Sequence, residues 1–214
     1  MDTNIAERVL RETDDFRGAK HLVEVEGFSS PKVCNLLNRL VGSMDAHEHY
    51  LEIGTWKGRT LLSAAFRNTG RLCIGCDKFR LWGKYTGWGH LAKQSIDASI
   101  ERYAGQTAEI RLFAVPARRL FARRLVPAPV GVYFYDGGHT YRGTRRGIEA
   151  VASLLSRRAV VVVDDWNDPV IRRASFDAIR ARGLDISWHR HLLGNHDEEG
   201  FWNGVGIFYV ESRS

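Results

Sequence analysis

Residues 50–62 read YLEIGTWKGRTLL. An apolar run ends in Glu52 and Ile53, glycines follow at positions 54 and 58, and Arg59 and Thr60 open a helical pattern. What such a strand, turn and helix can hold depends on the turn. A phosphate loop needs four residues between its glycines and a lysine after the second. Here Thr55, Trp56 and Lys57 stand between them and an arginine follows. A dinucleotide fingerprint needs a central glycine where the backbone meets the pyrophosphate, and Trp56 takes that place. What is left is a carboxylate at the strand end, a tight turn at Gly54, a close helix approach at Gly58, and a second acid, Asp77, closing the next apolar run RLCIGCD. An acid there suits two ribose hydroxyls. Glu52 sets negative charge where a cationic ligand can lie, and the amide end of a helix starting near residue 58 favours a small carboxylate. A ribose, a carboxylate and a positive centre in one ligand describe S-adenosylmethionine.

Outward from this turn, strand-like and helix-like runs alternate. Apolar runs at 49–53, 71–77, 108–113, 130–136 and 159–165 have the character of strands buried on both faces of a parallel sheet. Between them lie helical patterns at 58–67, 91–104, 116–124 and 141–156. Ahead of the turn, SSPKVCNLLNRLVGSM has Ser30 as N-cap, Pro31 at the first helical position, and Val33, Leu36, Leu37, Leu40 and Val41 along one stripe. After a helix near 169–182, strands near 185–192 and at VGIFYVE are joined without a helix, which predicts an antiparallel hairpin. The fold class expected is α/β: a doubly wound, seven-stranded, mostly parallel Rossmann-like sheet with a C-terminal antiparallel hairpin.

The chain has 214 residues, a length that one core can serve, and a hydrophobic share of 44% against 26% charged, as in ordinary globular proteins. No apolar stretch approaches the ~20 residues of a membrane span. The charged opening MDTNIAERVLRETDDF does not resemble a signal peptide, and three cysteines do not make a disulfide framework, so a cytoplasmic location is expected. The net charge of +6 admits a polyanionic partner, but the arginines are scattered rather than gathered in one tail.

Glu52, Gly54, Gly58 and Thr60 together match the acid-x-Gly-x-x-x-Gly-x-Thr pattern by which the chain resembles the class I S-adenosylmethionine-dependent methyltransferases. The likeness runs from about residue 30 through nearly the whole chain. With YDGGHTYRG and VVVDDW it is similar to small-molecule O-methyltransferases acting on sugars, macrolides and, more distantly, catechols. The resemblance implies one methyltransferase domain over 1–214, with 1–45 a helical lid or extension and 46–214 the cofactor-binding core. It implies that the cofactor is held by Glu52, Gly54, Thr55, Gly58, Thr60, Asp77 and Asp136, and that the reaction expected is methyl transfer to a small-molecule hydroxyl.

Asp136, Asp164 and Asp165 fall at the carboxyl ends of adjacent predicted strands, where open α/β sheets place ligands. Three carboxylates on one edge repel unless a cation joins them, and a hard divalent ion such as Mg²⁺ suits oxygen ligands. In the resembling metal-dependent families the acids after the fourth and fifth strands are the metal ligands, which here implies Asp136, Asp164 and Asp165; the alternative is that these aspartates cap turns. His139 can accept a proton from the acceptor hydroxyl, with Asp136 beside it in the catalytic set, or be a loop histidine bonded to backbone or to Asp165.

Other features read as structural. Cys73 and Cys76 form a C-x-x-C, but on a strand they point to opposite faces. His189 and His191 share one face of a strand that leads into the polar loop GNHDEEGFWNG, in which Phe201 and Trp202 are placed to border an acceptor pocket. The stretch FRLWGKYTGWGH, 79–90, is either a loop that covers the ligand or a set of rings packed on the N-terminal helices. Arg118, Arg119, Arg123 and Arg124 read as a solvated helix face with Leu120, Phe121 and Leu125 turned inward. A nucleic-acid methyltransferase would share the cofactor site, but no motif for a flipped base and no appended binding domain is present, so nucleic acid is not the expected partner. A non-catalytic cofactor-binding protein would keep Glu52 and Asp77 but has no need of three strand-end acids. The N-terminal helices are candidates for a lid or for a homo-oligomer contact.

Overall fold

Ser30 starts the first helix as its sequence predicts: its Oγ accepts from the Val33 amide at 3.3 Å, and Pro31 stands where no amide is needed. In this computed structural model, which describes residues 8–9, 24–80, 86–196 and 199–212, that helix is α1, Pro31–Gly42. Of the expected N-terminal extension, residues 1–7 and 10–23 lie outside the described residues, while Val9 and Val25 belong to the core. Strands β1 His49–Ile53, β2 Leu72–Cys76, β3 Glu109–Phe113, β4 Val130–Tyr135, β5 Leu155–Val163, β6 Leu184–Leu192 and β7 Val205–Ser212 form one sheet in the order β3-β2-β1-β4-β5-β7-β6. Only β7 runs against its neighbours, pairing antiparallel with both β5 and β6, so the expected Rossmann-like sheet with its terminal hairpin is present.

Period-two alternation divides the core between the two faces of the sheet. Tyr50, Val132 and Val162 pack with Leu36 of α1, Leu62 of α2 (Arg59–Ala65) and Ile96 of α3 (Thr86–Arg102). Leu51, Tyr133 and Val161 pack on the other face with Leu120 of α4 (Ala117–Ala122), Ile148 of α5 (Tyr141–Val151) and Ile171 of α6 (Pro169–Ala181). Cys73 belongs to the first cluster and Cys76 to the second, so the C-x-x-C pair is split across the sheet. Among the described residues no helix is long and apolar enough to cross a membrane.

Two boundaries differ from the sequence pattern. Helix α5 ends at Val151, a 3₁₀ turn spans Ala152–Leu154, and β5 begins at Leu155, earlier than its apolar run suggests. The added residues pair with partners distant in sequence: Leu155 is opposite Val130 and Arg158 opposite Glu211. Helix α3 begins at Thr86 and takes in Gly87 and Gly89, which read as loop residues. A Cβ on Gly89 would sit 2.1 Å from the Phe79 carbonyl, so this glycine serves a close crossing rather than a turn. Residues 81–85 of the aromatic stretch lie outside the described residues; Phe79 packs on the first core cluster.

Candidate active site

The carboxyl ends of β1, β2, β4 and β5 open into one cavity of about 1110 Å³. Gly54 makes its floor. The residue has φ +96°, its amide donates to the Cys76 carbonyl at 2.8 Å, and a Cβ there would lie 1.8 Å from the Asp136 carbonyl oxygen. Only glycine allows the chain to turn so close to the end of β4. Gly58 is not on the cavity wall; it lets α2 approach Ile96 of α3. Between the glycines, Trp56 takes φ 45°, an uncommon backbone for a bulky side chain, and its ring stacks on Phe28 with centroids 6.5 Å apart.

Asp77 clamps the turn from the next strand. One carboxylate oxygen accepts from the Trp56 amide at 2.9 Å and the other from the Phe79 amide at 2.8 Å, and the side chain still lines the cavity. Thr55 and Thr60 also line it. The Thr55 hydroxyl is buried without a hydrogen-bond partner among the described residues. Glu52 lies elsewhere: it is fully buried, does not line the cavity, and accepts from Tyr50 Oη at 2.6 Å and Thr60 Oγ1 at 2.8 Å. Burial pushes its carboxyl up to about 8. It shares the inward face of β1 with Tyr50, as alternation along the strand requires.

Beside the Gly54 floor, Asp136, His139 and Asp165 each bring one ligand atom within 4.8 Å of the others. Asp165 has φ 55°; its Oδ2 contacts His139 Nδ1 and its Oδ1 accepts from Asn203 Nδ2 at 3.0 Å. Burial tends to raise the Asp165 carboxyl, but the His139 ring and the Asn203 amide outweigh it, and the group lies below its ordinary value. The same contact raises His139. Asp164 lines the cavity but is outside the 4.8 Å group; burial, then the charge of Asp165, pushes it up to about 7. Asp136 is raised well above the usual carboxylate range by burial and then by Asp164 and Asp165. Such a cluster either holds protons or holds a cation.

Several cavity residues were not singled out from sequence. Asn203 orients Asp165 from a loop far along the chain, and only its Asn-Gly pair marks a turn there. Lys78 and Arg146 also line the wall, and so does Arg118, for which the sequence predicts a solvated helix face. Trp202 lines the cavity as expected, whereas Phe201 packs against the core, with Lys32 Nζ 5.7 Å from its ring centre. His189 and His191 are away from the cavity, packed around Phe176 at ring distances of 5.4 and 6.0 Å. Burial raises the Cys76 thiol to about 12.

The fold has many solved counterparts. An O-methyltransferase from Bacillus cereus in complex with SAH superposes with a TM-score of 0.62 at 18% identity, covering 99% of this chain and 92% of that one. The O-methyltransferase TomG from Streptomyces achromogenes, in complex with SAM, gives 0.55 at 18% identity over 95% and 90%. The O-methyltransferase NovP gives 0.60 at 16% over 84% and 79%. No curated protein sequence matches the chain. A family model described as a methyltransferase domain matches residues 51–166, from the glycine turn through the aspartate pair and more than half of the chain. By that match the chain belongs to the methyltransferase-domain family.

Proposed function

We propose that the protein transfers a methyl group from S-adenosylmethionine to a hydroxyl of a small molecule with the help of a divalent cation. The observation that carries this reading is the sharing of one cavity by the Gly54 turn with Asp77 and by the Asp136, His139 and Asp165 cluster. The SAH and SAM complexes of the O-methyltransferases with this fold support it.

The residues present fit both groups. Gly54 leaves the floor free of a Cβ, and each Asp77 oxygen, having accepted one amide, keeps a lone pair for a ribose hydroxyl. Glu52 acts from beneath, fixing Thr60 against the turn. Asp136 and Asp165, with Asp164 beside them, supply hard oxygen donors for a divalent ion such as Mg²⁺. When bound, S-adenosylmethionine supplies an electrophilic methyl group and the cation draws charge from the hydroxyl oxygen. His139, held through Nδ1 by Asp165, leaves Nε2 to take the hydroxyl proton. Most of the rate then comes from holding the reacting atoms in line.

The inclusion of His139 in the 4.8 Å group favours a second arrangement, in which its ring joins Asp136 and Asp165 on the cation. Calorimetry tests both. Failure of the protein to bind S-adenosylmethionine sinks the whole reading. In His139→Ala, unchanged Mg²⁺ or Mn²⁺ affinity with a lost rate supports the proton acceptor, and lost affinity supports the ligand.

A further inference from the structure

The cavity holds more positive charge than S-adenosylmethionine can use. Its acids are accounted for by that cofactor's ribose and by a metal, and the one carboxylate of the cofactor has Arg59, which also lines the cavity, to receive it. Lys78, Arg118 and Arg146 also line the cavity, and none has an ion-pair or hydrogen-bond partner among the described residues. They come from the end of β2 and from the adjoining helices α4 and α5. All three are exposed, so they form the rim rather than the floor.

The field around this rim has the same sign. Residues 117–124, 141–151 and 168–182, which include α4, α5 and α6, carry eleven arginines and no lysine against Glu149, Asp168 and Asp177. That excess is larger than the net charge of the whole chain, +6, so the rest of the molecule is slightly acidic. A potential of one sign around a cleft concentrates ligands of the opposite sign. Guanidinium groups, moreover, match phosphoryl oxygens in a planar fork. The volume of about 1110 Å³ exceeds the ~300–1,000 Å³ usual for a single small ligand.

Resting on the function proposed above, we infer that the methyl acceptor carries an anionic group, a phosphoryl in preference to a carboxylate, received at the cavity rim by Arg118 and Arg146 with Lys78 beside them. The acceptor hydroxyl then reaches the Asp136 and Asp165 edge while its charge stays at the rim.

The test uses inorganic pyrophosphate and malonate as probes, titrated calorimetrically without added metal into protein already saturated with S-adenosylmethionine. Pyrophosphate binds saturably and more tightly than malonate. Arg118→Gln/Arg146→Gln weakens it about tenfold, as expected for lost charge-assisted hydrogen bonds, while Arg123→Gln/Arg124→Gln, just past the end of α4 and off the cavity wall, leaves it within about twofold, as for screened exposed charges. These side chains are exposed, and a thermal melt of each variant checks its fold. Three results overturn the inference: no saturable pyrophosphate binding, equal weakening in both variants, or expulsion of the cofactor by pyrophosphate. Tight binding of oligouridylate that depends on Arg123 and Arg124 also overturns it, in favour of a nucleic acid. If the cofactor itself fails to bind, the proposed function is at fault. If it binds and pyrophosphate does not, only the anionic acceptor is lost.

Discussion

Thr60 donates its hydroxyl to Glu52 at 2.8 Å, so the first and last residues of the family pattern meet beneath the turn, with Glu52 off the cavity wall. Burial sets the Glu52 carboxyl near 8, above its ordinary 4.5, so the native chain holds a proton that the unfolded chain releases. Stability from this group is full below pH 4.5 and declines as the pH rises toward 8. Glu52→Gln removes that slope. We expect the variant to exceed the wild type by ~1–3 kcal/mol above pH 8 and to lose the advantage near pH 5. Urea unfolding at several pH values measures it; parallel stability curves would contradict the buried, protonated carboxyl.

Gly54→Ala forces a methyl into the Asp136 carbonyl at a backbone angle that alanine avoids. A loss of at least ~3 kcal/mol is expected, or a displaced β4 end with cofactor binding abolished. Wild-type stability together with wild-type binding would show that the turn is laxer than its geometry implies.

Thr55→Val has the opposite sense. The hydroxyl is buried without a partner, so replacing it with a methyl of the same shape removes an unmet polar group. Stability rises by ~1 kcal/mol and cofactor affinity is retained. A drop in affinity would place the hydroxyl on the ligand.

Asn203→Ala releases one oxygen of Asp165 from the side chain that orients it. Supporting residues of this kind typically change metal affinity ~10–100-fold, and that is the expected loss, read by titration of Mg²⁺ or Mn²⁺ into cofactor-loaded protein. Cofactor affinity stays as in the wild type.

The strands were legible because they are apolar enough to be buried on both faces, and their carboxyl ends are marked by Asp77, Asp136 and Asp164. The start of β5 was not, since its first residues are strand only by pairing with Val130 and Glu211. Helix α3 was cut short for a related reason: Gly89 signals a loop locally but answers to Phe79 across the fold. Within the site, Asp77, Asp136, His139 and Asp165 could be read because each ends a strand or follows one closely. The depth of Glu52 was there to be read from its two-residue spacing to Tyr50, which places both on the inward face. Asn203, Arg118 and Arg146 were not legible, because their roles exist only when loops distant in sequence are set around one cavity.

Strand β7 lies between β5 and β6, and the residues that finish the cavity, Trp202 and Asn203, directly precede it. During synthesis the sheet therefore cannot close until residues 205–212 have left the ribosome, because the gap they fill is internal. A nascent chain stalled before that point has every upstream acid of the site but neither Asn203 to orient Asp165 nor a closed sheet, so transfer competence arrives together with the final pairing step.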